Sequence, residues 1–286
     1  MTTPDLMEGL ARAAVDRLRA DGTAYRSLSS VAERQLVRQC NQSFRRVELT
    51  ALDMGIVPER YTRNMATLSM AEQYRLLEAK ACVVGVGGLG GSVAEILARL
   101  GVGQLTLVDG DYFEDSNLNR QRFADTTTLG KPKAAVARKA IAAINPAVEV
   151  TVWSEIMTAE NAAGMVAETD VAIDCLDTLQ ARIVLQGACR RQKIPMVSAA
   201  VAGVSGQITV IYPEDEGLSA LYGDLSTAAD RGAELTLGNL PFSVNLLACL
   251  ECSEAVKVIL KQASTLRGQL MIFDLADLTF ETVQLA

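Results

Sequence analysis

The sequence predicts an α/β fold in which helices cover both faces of a mostly parallel sheet, and three observations carry that prediction. From about Lys80, short β-rich runs alternate with stretches of helical periodicity, the pattern of successive βαβ units. A glycine-rich turn stands between the first of those runs and the first of those helices. Hydrophobic residues make up 49% of the 286 positions and charged residues 21%, enough apolar surface for a sizeable core.

Taken in order, the first strand is read around Ala81 to Gly85, and the helix after it carries Val93, Ile96, Leu97 and Leu100 on one face. QLTLVD gives the second strand, and VEVTVW, VAIDC and IPMVSAA give three more. Between them, helices are read near Lys131 to Ile144, Ala159 to Ala167 and Thr178 to Arg191. The resulting class is Rossmann-like. Past Gly206, QITVIY and MIFDLADLTFETVQL lack the helical crossover that parallel pairing needs, so an antiparallel C-terminal extension is expected. Between those runs lie a long polar loop from Pro213 to Pro241 and a helix with Leu247, Ala248, Cys252, Ala255, Val256 and Ile259 on one stripe.

Residues 1–59 read differently from residues 60–286, which form one α/β domain. Leu6, Leu10, Ala14 and Leu18 fall at the spacing of one amphipathic helix, and Val31 to Leu52 suggest one or two more, broken near Gly22 and Gly55. This part is expected to be a helical N-terminal extension that serves packing or dimerisation.

Composition removes several function classes. With no histidine, no mechanism can use imidazole as base or metal ligand, so chemistry falls to carboxylates, Lys, Arg or Cys. A net charge of -7 disfavours nonspecific binding to nucleic acid. No apolar run is long enough to span a bilayer and no secretory leader is evident at the N-terminus, which places the chain in the cytoplasm. Six cysteines scattered through apolar surroundings read as reduced, mostly buried thiols. Cys249 and Cys252 form a CxxC inside an apolar helix, where core packing outweighs metal binding.

The segment VVGVGGLGG places Gly85, Gly87 and Gly90 in GxGxxG spacing after a strand and at the start of a helix. Such a turn lets backbone approach phosphate, and the helix N-terminus supplies unpaired N–H groups. Asp109 closes the second strand about twenty residues on, where a carboxylate can bind ribose hydroxyls. This much suits NAD as well as ATP. Beyond it, a polar loop carries Asn117, Asn119, Arg120 and Gln121, and Lys133 opens the next helix. Arg and Lys on one phosphate site would neutralise a triphosphate and stabilise charge developing in nucleotidyl transfer. Asp177, just past another strand, could hold Mg²⁺ against the phosphates. Each residue alone has an ordinary structural reading: Lys131 and Lys133 on a solvated helix face, Asp177 as an N-cap, Arg120 in a surface ion pair.

The motifs RYTRN, VVGVGGLGG, LVDGD, SNLNRQ, LGKPK, AINP, DCLDT and GQITV, in this order, resemble the MoeB/ThiF/HesA family, the bacterial branch of the ubiquitin-activating-enzyme superfamily. The resemblance runs from Arg60 nearly to the C-terminus and implies an adenylyltransferase, with ATP attacked by the C-terminal Gly-Gly carboxylate of a ubiquitin-like sulfur-carrier protein. It implies that Gly88 approaches the phosphates, that Asp109 and Asp111 bind the nucleotide, and that Ser116, Asn117, Leu118, Asn119 and Arg120 line it. Arg120 and Lys133 would hold phosphates, and Asp177, with Thr178 beside it, would bind magnesium. Arg63 would reach into a partner subunit's site, implying a homodimer. The two CxxC pairs that hold zinc in many members have no counterpart at the matching positions, so no zinc site is expected. The loop from Pro213 to Pro241 has no cysteine for a covalent intermediate. Activation of a small-molecule or tRNA-bound carboxylate by the same fold, an NAD-dependent oxidoreductase and a non-catalytic carrier-binding scaffold are the competing readings.

Overall fold

A computed structural model describes residues 5–225, 232–263 and 265–285. Residues 5–59 are half as expected. They hold α1 (Leu6–Ala13), α2 (Ser30–Cys40) and α3 (Phe44–Asp53), and with them three short strands, β1 (Val15–Leu18), β2 (Ala24–Leu28) and β3 (Ile56–Pro58), in the order β1-β2-β3. Ser29 and Ser43 cap α2 and α3 by accepting from Ala32 N and Arg46 N. The single helix through Leu18 is corrected: Ala14 is already extended, and Leu18 sits on β1, 72% exposed. Its helical spacing is a coincidence. The cause lies in the Asp21–Gly22 turn, where Asp21 Oδ1 accepts from Thr23 N at 2.9 Å and Gly22 takes φ 84°, folding β1 back on β2. Leu10, Leu28, Leu36, Cys40, Val47, Ala51 and Ile56 make this part's own core.

The rest follows the alternating pattern. After α4 (Met70–Glu78) come β4 (Lys80–Val84), α5 (Gly88–Leu100), β5 (Gln104–Val108), α6 (Lys133–Ile144), β6 (Glu149–Trp153), α7 (Ala162–Val166), β7 (Val171–Asp174), α8 (Leu179–Gln192) and β8 (Met196–Ala202). Then follow β9 (Ser205–Ile211), α9 (Leu218–Tyr222), α10 (Glu234–Leu237), α11 (Pro241–Ile259), β10 (Gln269–Asp274) and β11 (Thr279–Gln284). One eight-stranded sheet has the order β11-β10-β9-β8-β7-β4-β5-β6. Strands β8, β7, β4, β5 and β6 are parallel, and β9, β10 and β11 continue antiparallel from β8, as the missing crossover predicts. The loop from Pro213 to Pro241 carries the two short helices α9 and α10.

Alternation along β4 shows how the layers form. Ala81 and Val83 face a core shared with α5, α6 and α11, whereas Cys82 and Val84 face a second core shared with α7 and α8. On α5 the fully buried Val93 and Leu97 face the sheet; Ile96 and Leu100 are only partly buried. Helix α11 packs between α5 and β8, burying Leu247, Ala248, Cys252, Ala255 and Ile259, while Val256 is partly covered. Cys249 is corrected: it is exposed on α11, one turn from the buried Cys252, and is no part of the core. Among the described residues, no helix is long and apolar enough to cross a membrane.

Candidate active site

A cleft of about 950 Å³ opens at the C-terminal ends of β4, β5, β7 and β8, where open α/β sheets bind ligands. Its floor is the turn between β4 and α5. Gly85 has φ 87°, and a Cβ there would lie 2.6 Å from Cys175 O; a Cβ on Gly90 would lie 1.7 Å from Gly85 O. Only hydrogen fits at either position. Gly87 and Gly88 line the cleft, and Gly87 N-caps α5 without a side-chain cap, so first-turn amides are left for an anion.

Asp109 follows β5 and braces this turn. Its Oδ2 accepts from Val86 N at 2.7 Å and its Oδ1 from Asp111 N at 2.8 Å. Burial raises its carboxyl above the ordinary carboxylate range, against the pull of those two N–H donors. Each oxygen keeps a lone pair for a hydroxyl.

Lys133 reaches the cleft because the chain doubles back. Phe113 N donates to Lys131 O at 3.0 Å and Gly130 N to Phe113 O at 2.8 Å, which sets the start of α6 beside Asp111. Lys133 N donates to Asp111 O at 3.0 Å, and its Nζ lies 2.9 Å from Asp111 Oδ2. The solvated-face reading of Lys133 fails, since the residue is buried.

The polar loop after β5 folds around Asn117, whose Oδ1 accepts from Glu114 N at 3.1 Å and whose Nδ2 donates to Ser116 Oγ at 3.3 Å. Arg120 Nη1 donates to Ser116 O and to Asn119 Oδ1, both at 2.9 Å, and has no carboxylate partner among the described residues. Arg122 anchors the loop on α5: its Nη2 donates to Glu95 Oε1 at 2.8 Å and its Nε to Glu95 Oε2. Arg122, with Arg99 beside it, holds the Glu95 carboxyl down at about 2. Ser116, Asn117 and Arg120 line the cleft. Leu118 and Asn119 do not: Leu118 is exposed, and Asn119 Nδ2 turns to Asn239 O at 3.3 Å.

Asp177 and Thr178 line the opposite wall. The N-cap of α8 is Thr178, which accepts from Ala181 N at 3.3 Å, so Asp177 is not the cap. The buried Arg182 fixes the segment before it, donating to Leu176 O and Ala199 O, each at 2.6 Å, and meeting Asp174 Oδ2 at 3.3 Å. Arg63 lies outside the cleft, exposed between Tyr61 and α4.

Sequence reasoning missed part of the lining. Arg182, Asn239, Val244 and residues 155–157 all contribute. Asn239 arrives because Gly203 N donates to Gly238 O at 2.8 Å. Gln121, only 8% exposed, lines the cleft with its Oε1 unpartnered. A buried carboxamide oxygen left open beside Gly87 is what a ligand site leaves behind. Gln121 already stood in the polar loop read from the sequence; of the residues that reading missed, Arg182 alone had a local signal, as a cation five residues after Asp177 on a helix facing the sheet.

The model of the ThiF family matches residues 61–286. The chain belongs to the ThiF family. The SAMP-activating enzyme E1 of Haloferax volcanii is 35% identical over 230 residues, covering 79% of this chain and 84% of that protein. The vegetative HesA protein of Trichormus variabilis is 36% identical over 237 residues, covering 82% and 86%. The molybdopterin-synthase adenylyltransferase of Escherichia coli is 32% identical over 219 residues, covering 74% and 86%. Among solved structures, E. coli MccB with ATP superposes with a TM-score of 0.68 at 18% identity, covering 89% of this chain and 82% of that one. The E. coli tRNA N6-threonylcarbamoyladenosine dehydratase TcdA, in complex with AMP, gives 0.62 at 26% identity, covering 72% and 96%. This ThiF-family chain is an adenylyltransferase, and the oxidoreductase reading of its glycine turn falls.

Proposed function

We propose that the chain uses ATP to activate the C-terminal Gly-Gly carboxylate of a small ubiquitin-like sulfur carrier. The carboxylate oxygen attacks the α-phosphorus, the bond to the bridging α–β oxygen breaks, and an acyl-adenylate and pyrophosphate result. The observation that carries the reading is the meeting of Lys133, Arg120 and Asp177 around the open first turn of α5 in one cleft. The amides and Lys133 would hold phosphate oxygens, Arg120 would meet charge on the leaving pyrophosphate, and Asp109 would fix the ribose. A magnesium ion suits one carboxylate such as Asp177 together with substrate phosphates and water, and would neutralise charge on the phosphates. The named activities of the Haloferax and E. coli relatives support a carrier substrate.

Arg63 is exposed and outside its own cleft, a position from which it can serve a neighbouring one, and this supports a homodimer. Pyrophosphate exchange with candidate carriers ending in Gly-Gly tests the reading. Exchange should appear with one carrier and disappear in Arg120→Ala and Asp177→Ala; no exchange with any carrier defeats it. A second reading, activation of a tRNA-bound carboxylate, draws on the 96% coverage of TcdA. The net charge of -7 opposes it, and filter binding to tRNA at physiological salt separates the two.

A further inference from the structure

Residues 5–59 contribute nothing to the cleft lining and precede the family match, yet a buried polar cluster joins them to the catalytic domain. Its hub is Arg60. One guanidinium nitrogen, Nη2, lies 2.7 Å from Glu33 Oε2 on α2, Nε lies 2.9 Å from Glu48 Oε1 on α3, and Nη1 donates to Asn145 Oδ1 at 2.7 Å just past α6. The next residue, the buried Tyr61, donates to Glu48 Oε2 at 2.8 Å and accepts from Asn145 Nδ2 at 2.9 Å. Three separate elements thus close on two consecutive residues of the RYTRN motif.

The charges do not balance unless a proton is present. Glu33 and Glu48 are both buried, and one guanidinium faces the two of them. One proton on this pair leaves one negative and one positive charge in the cluster. Burial and the neighbouring Glu33 push the Glu48 carboxyl well above the usual range.

Arg63 leaves the chain three residues after this hub. On its far side Asn64 Nδ2 donates to Gln73 Oε1 at 2.9 Å and to Leu100 O at 3.4 Å. Arg63 therefore stands between two pinned residues, exposed, without an ion pair among the described residues.

We propose that the Glu33–Glu48 carboxyl pair, through Arg60, sets the direction of Arg63, so that the N-terminal extension positions a residue of the adenylation site. The inference rests on Arg63 serving a neighbouring cleft, as read above. Pinning Tyr61 and Asn64 removes backbone freedom that an arm reaching another subunit would otherwise lose on closing the site.

The test measures pyrophosphate exchange and calorimetric ATP affinity of the full chain. Glu33→Gln and Glu48→Gln singly should keep kcat within about threefold, because either acid alone supplies the one negative charge. Glu33→Gln with Glu48→Gln, and separately Arg60→Lys, which keeps the charge but not the three-way fork, should each lower kcat about tenfold. ATP affinity should stay within about twofold, and in an Arg63→Ala background neither change should lower kcat further. Losses that persist in that background, or that track ATP affinity, overturn the inference. Arg63→Ala with full activity sinks the reading of Arg63 itself, a different outcome. Should the double glutamine variant not fold, Arg60→Lys carries the test alone.

Discussion

Lys133 Nζ rests 2.9 Å from Asp111 Oδ2, and the Lys133 side chain is 9% exposed where that of Asp111 is 68% exposed. The lysine is therefore held inside the cleft by a carboxylate at its mouth. An arriving phosphate oxygen replaces a partner on the solvent side and needs no change in the buried lysine. Lys133→Ala should lower the exchange rate at saturating ATP by about 10²–10³, the usual loss for one donor aimed at transition-state charge. Steady-state exchange read beside calorimetry checks this; a variant that loses only ATP affinity would assign Lys133 to ground-state binding.

Asp177 makes a distinct prediction. Asp177→Asn should leave metal-free ATP affinity within about threefold of wild type and raise the magnesium concentration for half-maximal exchange about tenfold. A magnesium titration at fixed ATP reads both. An unchanged magnesium requirement would move the metal elsewhere.

Glu95 ties α5 to Arg122 at the end of the nucleotide loop, and its carboxyl is held down at about 2 from an ordinary 4.5. A depressed carboxyl adds stability that is complete above its unfolded value and is lost as pH falls through the folded one. Glu95→Gln should thus melt a few degrees below wild type at pH 6, and the gap should close between pH 4.5 and pH 2. Thermal melts at pH 6 and pH 3 are sufficient. A constant gap would mean packing, not charge, holds the loop.

The thiols should divide sharply. Cys249 is exposed, whereas burial raises Cys82, Cys175, Cys252 and, to about 12, Cys189. Cys175 lines the cleft, but its burial, with Sγ 3.8 Å from the Glu251 carboxyl oxygens, raises that thiol well above its ordinary range. A disulfide-exchange reagent should find one fast thiol in the native chain, absent in Cys249→Ser, and no carrier adduct released by reductant. A reducible carrier adduct would contradict activation without a covalent cysteine step.

Much of the site was legible because it is local. Gly85, Asp109, Lys133 and Asp177 each stand within a few residues of a strand or helix end, so pattern alone places them on one edge of the sheet. Arg120 was legible as a cation in a polar loop, though only the Arg122–Glu95 tie shows what holds it there. The far wall was not legible. Asn239 and Val244 come from more than a hundred residues downstream and are brought beside Arg120 by contacts with the β8–β9 turn and α5. The hairpin of β1 and β2 was missed because four residues are too few to show alternation and Leu18 fell at a helical spacing. Glu33 and Glu48, buried and charged on amphipathic helices, have no sequence mark that separates them from solvated glutamates.

The closeness of Gly90 to Gly85 O means that the nucleotide seat is shaped from behind as well as from within. A single methyl group at position 90 would drive the turn outward while every charged side chain kept its identity. Such a variant would be blind to ATP with an intact set of ionic groups. Loss of activity at this locus therefore need not signal lost chemistry; one carbon atom too many is enough.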